Sequence, residues 1–162
     1  HEKNGRKYPS LKSLLLQQDP QGVQAGFLRS HESYEQLRKM QQQNRIIPVV
    51  GNFAGDKALP AIAKELAQRS LSVGAFYVSN VEQYLLEPPT FKQWVANVKA
   101  LPADDASFFI RCYLDQGKRH PAQMEGHRTA TVLGGFDQFK QRADKRGYGS
   151  FYQIATDGIL TD

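Results

Sequence analysis

The chain has 162 residues, 40% of them hydrophobic and 23% charged, with a formal net charge of +5. That is the size of one soluble globular domain, or a large piece of one, able to bury roughly two thirds of its unfolded surface. No apolar run nears the ~20 residues that cross a bilayer, and the Lys and Arg are too dispersed to read as a nucleic-acid stripe.

The start, HEKNGRKYPS, is polar and basic and has no secretory pattern. Position 1 is His rather than Met, so the chain reads as processed, tagged or cut from a longer one. A single cysteine, Cys112, excludes an internal disulfide. It fits a reducing compartment, and a cytoplasmic location is expected.

Taken in chain order, Ser10 caps a short helix over 11–17, which the turn Asp19-Pro20-Gln21-Gly22 ends. Ser30 caps a second helix over 31–43, with Tyr34, Leu37 and Met40 on one side. Glu32 and Glu35 lie early in it and Arg38 and Lys39 late, as the helix dipole favours. The apolar run Arg45–Val50 predicts a first strand, although Pro48 cannot donate to a ladder and marks an edge or an end.

Asp56 then opens a helix over 57–69, with Leu59, Ile62, Ala63 and Leu66 at helical spacing. A second strand, Val73–Val78, is apolar throughout, the pattern of a strand covered on both faces. Ser79 with Glu82 forms a capping-box pattern for a short helix through Leu86. Pro88-Pro89 breaks that helix, and Thr90 with Gln93 caps the next, with Phe91, Trp94, Val95 and Val98 on one face.

Phe108–Leu114 is the third strand, and the pattern after Asp115 weakens into a long polar loop. Helices are expected again at 136–145 and, capped by Ser150, at 151–156. The sum is a Rossmann-like three-layer α/β domain over 1–162, with a mainly parallel sheet, a β-α-β-α-β core and helices at both chain ends.

A parallel sheet places its ligand crevice at the carboxyl ends of its strands. Two junctions mark that place: Gly51, Asn52, Phe53 and Gly55 after the first strand, and Tyr77, Ser79 and Asn80 after the second. The first loop is a possible anion cradle, but it matches neither a Walker loop nor the dinucleotide fingerprint. Asn80 suits a base, ribose or amide, whereas Ser79 is already committed as a cap.

Arg111 interrupts an apolar strand, so it either pairs with a carboxylate from a neighbouring helix or points into the crevice and holds an anion. Cys112 reads as a small core residue. His120, Glu125 and His127 lie in the polar loop at no zinc-motif spacing, and read as a mobile surface loop rather than a metal site.

The segments NRIIPVVGNFAGDKAL, LSVGAFYVSNVEQYL and DPQGVQAGFLRSHESY resemble the C-terminal half of a bacterial family of uncharacterised proteins. The resemblance runs from about Tyr8 to Ile154, and the longer proteins of that family resemble Rossmann-type S-adenosylmethionine-dependent methyltransferases. It implies a possible S-adenosylmethionine cofactor and a transferase that is active only with an upstream half. Asn52 stands where relatives often carry Asp, so a carboxylate suited to acid–base or ribose work is missing.

The alternative is a non-enzymatic ligand-binding or protein-assembly module. Its partners would be a small molecule, the upstream half or a second copy, with neither membrane nor nucleic acid.

Overall fold

A computed structural model describes residues 2–3, 6–7, 10–19, 21–24, 26–115 and 117–160. The chain falls into two compact units, His1–Pro48 and Val49–Asp162.

In the first unit, β1 (Glu2–Lys3) and β2 (Arg6–Lys7) pair antiparallel, and α1 (Leu11–Leu15) and α2 (His31–Gln42) follow. Both helices start where the serines predict, because Ser10 and Ser30 each accept from the amide three residues on. Neither helix buries a residue, although α2 is amphipathic. The turn expected at 19–22 includes Pro20, which lies outside the described residues. Around it, Asp19 Oδ1 accepts from the Gln21 and Val23 amides at 3.0 and 2.8 Å.

The second unit carries the sheet. Its elements are α3 (Ala58–Gln68), β3 (Ala75–Ser79), a 3-10 turn (Val81–Tyr84), α4 (Thr90–Ala100), β4 (Phe108–Leu114), β5 (Thr129–Gly135), α5 (Phe136–Lys145) and α6 (Phe151–Thr156). The sheet has the order β3-β4-β5. β3 runs parallel to β4, and β4 runs antiparallel to β5.

The expected mainly parallel, Rossmann-like three-layer core is therefore wrong, and two segments account for it. Residues 45–50 form no strand; Ile47 and Val49 are more than half exposed and Val50 wholly so. Pro48 offers no amide to a ladder, so hydrophobicity alone does not make this run a strand.

The segment 129–135, expected to be loop, is β5 and completes the sheet. Thr129, Thr131 and Val132 are β-branched and suit it, but Ala130 and the two glycines mute its hydrophobic signal. A Cβ at Gly134 would overlap Arg111 Nη1, so any side chain there would have to displace the buried guanidinium.

Helical spacing puts Leu59 and Ala63 of α3, Trp94 and Val98 of α4, and Phe136 and Phe139 of α5 on buried stripes. These join Phe76, Val78, Phe109 and Tyr113 of the sheet in one core cluster. The strand members of that cluster all belong to one face. The layering is thus two deep, helices on one side of a three-stranded mixed sheet. Among the described residues, no helix is long and apolar enough to cross a membrane.

Candidate functional site

The predicted crevice residues take different local roles. In the first loop, Gly55 N donates to Asn52 O at 3.0 Å and Ala54 N donates to Asn52 Oδ1 at 2.9 Å. Asn97 Nδ2, buried in α4, donates to the carbonyls of Phe53 and Gly55, both at 2.8 Å. Phe53 faces the core, with its ring 6.2 Å from Phe76 and 6.1 Å from Trp94.

A Cβ on Gly51 would overlap that of Ala58, and one on Gly55 would crowd Asn52 O at 3.1 Å. The glycines thus serve a tight turn locked to α4. Two amides that an anion cradle would use are already bonded within that turn. Asp56 makes no capping bond, since Lys57 is the cap residue of α3 and has no side-chain cap.

At the end of β3, Ser79 is the last strand residue rather than a helix cap. It holds φ 51°, a strained value for a non-glycine, and the register with β4 shifts between Tyr77 and Ser79. Its hydroxyl meets only Asn80 Oδ1, at 3.5 Å, too long to fix either group. Asn80 is the cap residue of the 3-10 turn, without a side-chain bond. No imidazole is hydrogen-bonded to Ser79 among the described residues, so nothing there activates it as a nucleophile.

The expected capping box fails because Glu82 has other partners. Its carboxylate is fully buried and accepts from Arg111 Nε at 2.5 Å and Nη2 at 3.0 Å, and from Trp94 Nε1 at 3.3 Å. The Arg111 guanidinium lies over Phe109 at 4.0 Å and Phe139 at 5.3 Å. Of the two roles open to Arg111, the structure takes the ion pair. Buried on every side, it faces no crevice. Sequence reasoning asked for a carboxylate partner here, and Glu82 three residues past the strand end supplies it.

Tyr148, stacked on Phe139, donates its hydroxyl to Asp157 at 3.0 Å, and Arg142 Nη1 reaches the other carboxylate oxygen at 3.1 Å. Burial, then the Asp157 hydrogen bond and charge, hold the Tyr148 phenol well above its ordinary value. Burial also raises the Tyr113 phenol.

The β4–β5 loop is ordered by side chains. His120 is fully buried; its Nδ1 accepts from the Ala122 amide at 3.0 Å, and its Nε2 lies 3.0 Å from Ala155 O. Gln123 donates to Asp115 and to His127 O. Hydrogen bonds from the Gly117 amide and Gln123 hold the Asp115 carboxyl below the usual range. The mobile loop expected from its polarity is instead built round a buried histidine. No group of three His, Cys, Asp or Glu side chains able to hold a metal occurs among the described residues.

What the second unit leaves open is the other side of its sheet. Ala75 and Tyr77 of β3, Phe108, Ile110, Cys112 and Leu114 of β4, and Thr129, Thr131 and Leu133 of β5 alternate away from the core. None of the nine belongs to the core cluster, and none carries an ionised group. Tyr77 is 64% exposed, Leu133 40% and Leu114 38%. Register places Tyr77, Ile110 and Leu133 side by side as an apolar row across all three strands.

Burial, with a hydrogen bond to Thr131 opposing it, pushes the Cys112 thiol up, away from a reactive thiolate. The sequence signal for this face was the unbroken apolar run Val73–Val78, which suits a strand whose two faces both meet protein. Two shallow clefts lie in the first unit, one beside Val23 and Arg29 and one beside Phe27 and Leu37. Neither includes a predicted site residue.

A family model described as Domain of unknown function (DUF7790) matches residues 8–159. No curated protein matches the chain. Neither comparison connects it to methyltransferases.

Proposed function

Given that the chain belongs to the DUF7790 family, a domain of unknown function, we propose that it is a protein-assembly module that docks through the open face of its sheet. The observation that carries this reading is the one-sided packing of the second unit. All its helices contribute to the core on one side, while the apolar row Tyr77–Ile110–Leu133 faces outward. Exposed apolar area that is contiguous and uncharged, on a rigid three-stranded platform, is characteristic of an interaction surface.

Methyl transfer rests on the family resemblance, with a mainly parallel sheet and an open crevice at its strand ends as the expected setting. The mixed sheet, the locked 51–55 loop and the buried Arg111 take away that setting and leave the resemblance by itself. A small-molecule site retains one favouring observation, the strained Ser79 beside the uncommitted Asn80 side chain. S-adenosylmethionine titrated to millimolar concentration while thermal stability is followed separates the readings: an assembly module gains no stability from it.

The docking face is tested with bis-ANS, a dye that fluoresces on apolar surface, at low micromolar protein. Wild type should bind it. The double variant Tyr77→Glu/Leu133→Glu should lose the share of the fluorescence that this face contributes, with an unchanged circular dichroism spectrum. A wild type that binds no dye, or a variant that binds as much, would refute the reading.

A further inference from the structure

The partner that this face fits best is a second copy of the same chain, and we infer that two copies pack their open sheets together as an α/β/β/α sandwich. The inference rests on the docking reading above. Three observations select this occupant.

The first is charge. The chain carries +5 overall, from 21 basic and 16 acidic residues, so a charged face would have to match its own charges to pair two copies. The outer sheet face carries no ionised group, and there two copies meet without placing like charges together. A partner recognised by its own charge would find nothing on this face to pair with.

The second is self-complementarity. A two-fold axis lying between the sheets and parallel to β4 sets β3 of each copy over β5 of the other. The row Tyr77–Ile110–Leu133 then lies on its own reverse: Tyr77 over Leu133, Ile110 over Ile110, Leu133 over Tyr77. The most exposed large hydrophobic side chain of the face, Tyr77, falls towards the side where Thr129 and Thr131 are small. Bulk on one edge strand meets room on the other. Sheets packed in this aligned manner lie about 10 Å apart, a spacing that such side chains fill.

The third is area. Three strands about 4.8 Å apart, with about 3.3 Å of rise per residue, give a flat footprint of roughly 300 Å², or about 500 Å² of accessible surface once its relief is counted. Two copies therefore bury about 1,000 Å², at the lower bound of specific interfaces. The area is sufficient for a reversible dimer and too small for an obligate one, so association should depend on concentration.

Sedimentation velocity on the full chain from about 1 to 500 μM tests this, with Tyr77→Glu and Leu133→Glu as separate variants. Both side chains are exposed, so both variants should fold, and each lowers the net charge, so weaker association cannot come from added overall repulsion. The expected result is a monomer–dimer equilibrium in wild type whose dissociation constant rises at least tenfold in either variant. A wild type that stays monomeric at 500 μM overturns the second copy as partner. If it nevertheless binds bis-ANS on this face, the docking reading survives; if it binds none, both fall. A dimer that neither variant weakens also overturns the inference, since its interface lies elsewhere.

Discussion

Breaking the Glu82–Arg111 pair from one side should cost the second unit a large part of its stability. Both side chains are essentially without solvent, 0% and 2% exposed, and are joined by two hydrogen bonds of 2.5 and 3.0 Å. Arg111→Met keeps the aliphatic bulk and the contact with Phe109, but it leaves the Glu82 carboxylate with Trp94 as its one donor. An uncompensated buried charge of this kind costs about 3–5 kcal/mol. Set against a native stability of roughly 5–15 kcal/mol, that should lower the melting temperature by about 10–20 °C.

Glu82→Gln should be comparably damaging, since it strands the guanidinium. The double variant Glu82→Leu/Arg111→Met removes both charges and should recover a good part of the loss, giving a coupling energy of about 2 kcal/mol or more. Urea unfolding followed by circular dichroism, run on all four proteins, completes the cycle. An Arg111→Met protein within about 1 kcal/mol of wild type, or a double variant equal to the sum of the singles, would refute the buried, coupled pair.

Two further predictions concern the same unit. Asn97→Ala frees the carbonyls of Phe53 and Gly55. It should destabilise by about 1–3 kcal/mol and speed hydrogen exchange in 51–57 more than in β4, as read by mass spectrometry. At alkaline pH, the raised phenols of Tyr148 and Tyr113 set the sign. Their contribution is complete below the ordinary tyrosine value near pH 10 and is lost as pH rises past it towards their folded values. Melting temperature should therefore fall above about pH 10, and Tyr148→Phe should reduce that slope without abolishing it.

Much of the helical part was legible because capping and periodicity are local. Ser10, Ser30 and Ser150 cap where they should, and α5 and α6 have the expected bounds. The sheet was legible only where hydrophobicity and strand coincide. β4 is such a run. The segment 45–50 is apolar without being a strand, and 129–135 is a strand that is scarcely apolar, because pairing partners are a long-range property.

The site suffered in the same way. Glu82 has the spacing of a capping residue, yet Arg111, 29 residues on, claims it. Asn97 shows no local sign that it holds the 53–55 loop from α4. Tyr77 was expected at a crevice mouth because a parallel sheet was expected. With β5 antiparallel and the helices on one side, the same residue lies on an open face.

Hydroxyl-radical footprinting across a concentration series tests that open face most directly. In dilute protein, Tyr77 and Leu133 should be modified at the rates of exposed side chains, while Trp94 and Phe109 stay protected. As the face becomes occupied, Tyr77 and Leu133 should become protected several-fold with the core residues unchanged. Tyr77 and Leu133 as protected in dilute protein as Phe109 would contradict the account.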